Sequence, residues 1–349
     1  MKVFKTQTLL MGILILLSAG PAAGKKLRIV TTTTDLKAIA EAVGGAYVSV
    51  NSISSGRQDP HFIDAKPSYM LKLRKADLFI RIGLELEQGW ELLILEGSRN
   101  RYILLGSRGH LDASAGIRRL EVPTGPVDRS MGDVHPLGNP HYWLDPYNAR
   151  IIAGTIARRL GELDPEHEAQ YARSAASFSR QVDIAMFGSA LQEGEDAEGL
   201  WQRRPGGNLD PGIEAQSDAG EARGWLAQMA PFRGVKVVTY HRSWSYFLER
   251  FELVAAGELE SKPGISPSPG HLKNLIETMR AQQVPIIIVA SFKGDKAPNL
   301  VAAKTGATVV RVPYSVGGND QAGDYIAMMD QLVTKISTAL TRSSLQEAP

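Results

Sequence analysis

The amino-acid sequence predicts an α/β protein of two parallel-sheet lobes with one long helical segment between them. Three observations carry this. The chain has 349 residues, 43% hydrophobic and 22% charged, which is enough for two globular domains and too apolar to be mostly disordered. Short apolar, β-branched runs alternate with segments of helical composition in both halves. The middle of the chain holds a long stretch of helical periodicity with no proline.

Residues 1–24 read as a secretory signal peptide. Lys2 and Lys5 precede an apolar run from Leu9 to Leu17, followed by the small residues Ser18, Ala19, Gly20, Ala22, Ala23 and Gly24. The run is too short to cross a bilayer, which takes about 20 residues. An uncleaved anchor is the alternative.

The first lobe is assigned to residues 25–163. Leu27–Thr32 reads as a strand, Leu36–Val43 as a helix stopped by Gly44-Gly45, and Tyr47–Ile53 as a second strand, which makes a βαβ unit. Helix at Pro67–Lys75, strand at Leu78–Ile82, helix at Gly89–Glu96 and strand at Tyr102–Leu105 continue a helix-covered parallel sheet. The second lobe, residues 224–349, repeats the style. Its strands are expected at Val235–Tyr240, Ile286–Val289 and Thr308–Val312, with helices at Trp244–Arg250, Leu272–Gln282 and Ala297–Thr305.

A helix is expected over residues 164–193. Asp164-Pro165-Glu166 supplies a cap, a proline in the first turn and an acid near the positive helix end. Tyr171, Ala175, Phe178, Val182 and Met186 then recur at helical spacing, so the helix can run to about Leu191, roughly 40 Å at 1.5 Å per residue. It fits either a rod joining the lobes or a surface helix of one lobe. Residues 194–223, acidic at one end and poor in apolar side chains, read as a flexible polar insertion.

Composition excludes several function classes. Lys+Arg 39 against Asp+Glu 37 leaves a formal charge of +2, so no nucleic-acid partner is expected. There is no cysteine, which removes disulfides, thiolate metal sites, cysteine nucleophiles and an acylated cysteine anchor. An exported chain without such an anchor is expected as a free, monomeric protein of the periplasm.

The chemistry-bearing residues are histidines. His61 lies in Asp59-Pro60-His61, beyond the second strand of the first lobe; His141 lies in Asn139-Pro140-His141-Tyr142-Trp143-Leu144-Asp145-Pro146; His241 follows the first strand of the second lobe. Ligands of open α/β sheets bind at the carboxyl ends of strands, where His61 and His241 sit. Three neutral imidazoles converging on one point suit Zn²⁺, with a fourth place for a carboxylate or water; Ni²⁺, Co²⁺ and Cu²⁺ would also bind. Taken singly, each is more often structural. His135 is read first as an exposed loop residue, with substitute ligand, outer-sphere partner or cation collector as alternatives. His110, His167 and His271 are read as structural or surface residues.

These residues resemble the cluster A-I solute-binding proteins, the metal-binding periplasmic components of zinc and manganese ABC importers. The resemblance spans nearly all of the mature chain. It rests on His61 with Pro67-Ser68, the Asn139-Pro140-His141 run, the Asp164-Pro165 helix start, and Tyr240-His241 with Tyr246-Phe247. Pro263-Gly264-Ile265-Ser266-Pro267-Ser268-Pro269, Thr305-Gly306-Ala307 and Tyr325 with Met328-Met329 extend it. It implies two α/β lobes around a rigid backbone helix, one metal ion in the cleft, and delivery to a membrane permease. His61, His141 and His241 match the family's first three ligands. Manganese-type members tend to carry a carboxylate at the third position, so His241 points to Zn²⁺ ahead of Mn²⁺. The fourth ligand, usually an Asp shortly after the last core strand, corresponds best to Asp320, with water as its competitor. The chain departs from the pattern at Ala290, where many relatives carry a glutamate, and it lacks the histidine-rich loop of some zinc-specific members.

A binding protein rather than an enzyme is therefore expected. The contrasting class is a zinc hydrolase built on three histidines and a metal-bound water, but the chain has no His-Glu-x-x-His helix and no Gly-x-Ser-x-Gly elbow.

Overall fold

The computed structural model describes residues 25–126, 131, 132, 134–191, 197–202, 224–262 and 264–347. The proposed signal peptide and most of the 194–223 insertion lie outside these residues.

Two four-stranded, wholly parallel sheets form the frame. In the first, β1 (Leu27–Thr31), β2 (Val48–Ser52), β3 (Leu78–Arg81) and β4 (His110–Asp112) are ordered β2-β1-β3-β4. In the second, β5 (Lys236–Thr239), β6 (Val254–Glu258), β7 (Ile286–Ala290) and β8 (Thr308–Val312) are ordered β6-β5-β7-β8. The halves thus share one strand order. Helices cover both: α1 (Thr34–Gly44), α2 (Pro67–Arg74) and α3 (Glu91–Ser98) in the first lobe, followed by α4 (Pro146–Leu163), α5 (Glu168–Phe187) and α6 (Ala197–Gln202). The second lobe adds α7 (Trp225–Met229), α8 (Ser245–Arg250), α9 (Pro269–Ala281), α10 (Lys296–Thr305) and α11 (Tyr325–Glu347).

Side chains alternate across a strand, and here the two faces enter different cores. Ile29 of β1 and Ile286, Ile288 and Ala290 of β7 join one apolar cluster that runs through both lobes and through α4, α5 and α11. Val30 faces a smaller cluster private to the first lobe, and Ile287 and Val289 face one private to the second. One shared core makes the two lobes a single packed unit. Backbone contact reinforces it: a Cβ on Gly56 would lie 2.0 Å from the Val316 carbonyl oxygen across the lobes, so only glycine fits.

The structure corrects three expectations. Tyr102–Leu105 is not a strand: Asn100 accepts from the Tyr102 N–H and donates to the Leu73 and Ala76 carbonyls, fixing a 3-10 turn at Arg101–Ile103. His110–Asp112 takes its place beside β3. The 164–193 segment starts as a 3-10 turn, Pro165–His167, and its α-helix is α5, 20 residues and about 30 Å long. The expected apolar positions Tyr171, Ala175, Phe178, Val182 and Met186 are all buried, and α5 packs on α1 and α4 on one side of the chain's midpoint and on α7 and α11 on the other. Within 194–223, the described residues 197–202 form α6, which buries Leu200 and Trp201. Trp201 donates to Asp183 and packs against Phe187, so this part of the insertion is anchored.

Sequence reading passed over α4, β6 and α11. Helix α4 starts with Asp145, whose carboxylate accepts from the Tyr147 N–H, and with Pro146 in the first turn. Among the described residues no helix is long and apolar enough to cross a membrane.

Candidate metal centre

Two of the three expected histidines are presented by the same local device. In Asp59-Pro60-His61, the Asp59 carboxylate accepts from the His61 backbone N–H at 3.2 Å and from its Nδ1 at 2.7 Å. In Asn139-Pro140-His141, the Asn139 amide oxygen accepts from the His141 N–H at 3.0 Å and from its Nδ1 at 2.7 Å. An Asp or Asn that bonds the backbone two residues on closes a tight turn, and the intervening proline fixes φ, so each ring is locked in place by its own sequence neighbours. Trp90 pins the first turn by donating to the Pro60 carbonyl. Glu121 and the Arg242 carbonyl hold the amide nitrogen of Asn139.

His241 is held from farther away. It follows β5, and the β5–β6 pairing continues past both strands through Leu259 N–H to Thr239 and Glu260 N–H to Tyr240. This sets the Glu260 carboxylate 2.7 Å from His241 Nδ1.

The three rings converge. Their centroids are 5.0 to 5.7 Å apart, and one nitrogen from each of His61, His141 and His241 lies within 4.8 Å of the others. Each Nδ1 faces an acceptor, which favours the proton there and turns each Nε2 toward the centre. The His141 Nε2 is buried without a hydrogen-bond partner among the described residues. An orphaned buried acceptor of this kind costs free energy unless something occupies it, and an ion is a fitting occupant.

Charges around the rings favour this arrangement. Lys293 Nζ lies 3.1 Å from Asp59 and 3.3 Å from Glu260, so one ammonium ties together the two carboxylates that orient His61 and His241. Burial pushes both acids up, but their bonds to His61 and His241 and the charge of Lys293 outweigh it, holding both below the ordinary carboxylate range. Burial lowers Lys293, yet Asp59 and Glu260 raise it above its ordinary value. Burial, followed by the neighbouring His61 and His241, drives His141 far below the usual histidine value.

Asp320 is not brought to this group. Its side chain is 95% exposed and pairs with Arg57. After β8 the chain turns at Gly317-Gly318, where Gly318 N–H bonds the Ser315 carbonyl. Tyr314, two residues beyond β8, lies nearer, its ring 5.9 Å from that of His141. His135 also departs from expectation: it is 9% exposed, not a loop residue in solvent, and its Nε2 is 3.2 Å from His61 Nε2. Burial, then His61 and His241, lower it to about 3. His110 is buried on β4 against Glu91, His167 stacks on Tyr47, and His271 bonds the Glu258 carbonyl, all away from the centre.

Sequence reading missed the roles of Asp59, Asn139, Glu260 and Lys293. The first two carried a signal, since Asx-Pro-His occurs twice. The other two carried none.

Comparison with known proteins matches the same frame. The family model described as zinc-uptake complex component A, periplasmic (ZnuA), matches residues 29–185 and 221–339. The manganese ABC transporter substrate-binding lipoprotein ScaA of Streptococcus gordonii is 24% identical over 331 residues, 93% of this chain and 92% of the relative. The iron-binding protein YfeA of Yersinia pestis is 25% identical over 319 residues, 90% of this chain and 86% of its own. Among solved structures, a crystal structure of ZnuA superposes with a TM-score of 0.67 at 24% identity, covering 90% of this chain and 99% of that one. That likeness shows the two-lobe fold.

Proposed function

The chain belongs to the ZnuA family of metal-binding ABC transporter substrate-binding proteins, and on that premise we propose that it captures Zn²⁺ in the periplasm and delivers it to the membrane permease of an ABC importer. The donor set carries the choice of metal. His61, His141 and His241 offer three imidazole nitrogens, and among the described residues no carboxylate belongs to the group. Nitrogen donors at close range favour Zn²⁺ over the harder Mn²⁺, which prefers oxygen ligands. Relatives named for manganese and iron make Mn²⁺ and Fe²⁺ the competitors to test.

Capture without chemistry is supported by the size of the site. Among the described residues, the cavity at His135, His141 and His241 holds about 50 Å³, room for an ion and a water. A hydrolase would need a place for the molecule it cleaves beside the metal.

The test is elemental analysis of the mature protein, purified without a metal-binding tag, with competitive Zn²⁺ and Mn²⁺ titration of wild type and His241→Ala. About one tightly held zinc, weakened in the variant, is expected. No stoichiometric metal, or equal binding by the variant, overturns the reading. Tighter Mn²⁺ or Fe²⁺ than Zn²⁺ would keep capture and change the cargo.

A further inference from the structure

We propose that His135 is a fourth nitrogen ligand, so that the captured ion is held by four imidazoles with neither water nor carboxylate completing the set. This rests on the metal-capture reading and deepens it.

Geometry carries the inference. Nitrogens about 2.0–2.1 Å from one tetrahedral zinc stand roughly 3.3 Å apart. The His61 and His135 Nε2 atoms are 3.2 Å apart, the spacing of two ligands on one ion. His135 lines one cavity together with His141 and His241, so the fourth ring borders the same space as two of the three. Among the described residues, the oxygen donors nearby are already committed. Asp59 and Glu260 hold the Nδ1 atoms of His61 and His241 and share Lys293, and Asp320 points to solvent.

The ring is placed without being fixed by a carboxylate. His135 belongs to a short turn closed by Gly138 N–H to its own carbonyl, and Asn139 N–H then bonds the Leu120 carbonyl. His135 lies outside the 4.8 Å group, with its ring 6.1 Å from that of His141, so engagement requires a rotation of its side chain toward His141. The contact with His61 sets the proton bookkeeping. His61 Nδ1 faces Asp59, and its Nε2 faces His135 Nε2, so one hydrogen is shared along the contact between the two rings. A neutral imidazole is the form that ligates, with the Nε2 atoms of both rings facing the ion.

The experiment uses the mature protein, wild type and His135→Ala, His135→Gln and His135→Gly, with Zn²⁺ competition titration and the visible absorption of the Co²⁺-loaded forms. Wild type is expected to show an intense four-coordinate Co²⁺ spectrum. The Ala and Gln variants are expected to bind one ion at least about tenfold more weakly with a changed spectrum. Gln is informative because it fills the space and can still donate to His61, so a packing or hydrogen-bonding role would survive in it. Added imidazole is expected to return the Gly variant toward the wild-type spectrum and to leave wild type unchanged. Variants that bind as tightly as wild type with the same spectrum overturn the fourth ligand alone. Wild type that takes up neither Zn²⁺ nor Co²⁺ overturns the capture reading and this inference together.

Discussion

The two halves of the centre are built in opposite ways. The first lobe presents His61 and His141 on turns that close within two residues, each Nδ1 bonded to the Asx side chain just before the proline. The second lobe presents a single imidazole, His241, whose partner Glu260 comes from 19 residues away and whose counterion Lys293 comes from 52 residues beyond the histidine. Rings locked by neighbours in sequence need little tertiary support. A ring locked by distant partners exists only when the second sheet is fully assembled. The first lobe is thus a preformed partial chelate, and the second lobe supplies the nitrogen and the charges that complete it.

The largest effect should come from removing a nitrogen. His141→Ala deletes the most buried ring, 1% exposed, and should weaken Zn²⁺ by on the order of 100-fold or more. His61→Ala should match it, and His241→Ala should cost less, because two nitrogens on preformed turns remain. Competition titration of the three variants checks this, and a greater loss for His241→Ala would break the contrast between the lobes.

Next come the orienting groups. Asn139 does for His141 with a neutral amide what Glu260 does for His241 with a charge, so Glu260→Gln keeps an acceptor and should cost only a few-fold in Zn²⁺ affinity, whereas Glu260→Ala should cost about tenfold, less than loss of His241 itself. Equal losses for the two variants would mean that charge and hydrogen bond are inseparable here.

A third effect concerns the contact between the lobes. Asp35 of α1 is wholly buried and accepts from the Val316 N–H of the second lobe, and burial pushes its carboxyl up to about 7, with the Val316 bond opposing. A carboxyl raised in the folded state contributes fully at low pH. Its contribution drains away as pH climbs from about 4, where the unfolded chain ionises, and levels off above about 7. Asp35→Asn cannot ionise and keeps the acceptor, so it should raise stability at pH 8 by on the order of 2 kcal/mol and leave it nearly unchanged at pH 4. Thermal or denaturant melts at both pH values would show the difference, and a variant uniformly less stable would refute it.

The smallest effect belongs to Asp320. It is exposed and paired with Arg57, an ion pair of the kind worth little at a surface. Asp320→Ala should leave Zn²⁺ affinity within about twofold, and a larger loss would mean the 317–320 turn rearranges to reach the ion.

The same contrast explains what the sequence could reveal. Strands β1, β3, β5, β7 and β8 were legible because buried parallel strands are nearly continuous apolar runs. Strand β6, Val254–Glu258, was not: it lies at a sheet edge, leaves Val254 and Ala255 exposed, and reads as ordinary surface. His61, His141 and His241 could be singled out by strand ends and prolines. Glu260 and Lys293 could not, because an isolated acid and an isolated lysine acquire meaning only when tertiary pairing sets them beside a particular ring. Asp320 was chosen by its order in the chain, and the turn at Gly317-Gly318 sends it outward.

Trp143 follows His141 by two residues, its ring lies 5.5 Å from the His141 ring, and its Nε1 donates to the Tyr314 carbonyl of the other lobe. The consequence is optical. A fully buried indole beside the central imidazole is a built-in fluorophore, and an ion arriving at that imidazole alters the polarity and quenching the indole feels. With five tryptophans in the chain and only this one in edge contact with the histidine cluster, Trp143→Phe isolates its share of the emission. Cargo loading can then be followed in real time without a dye.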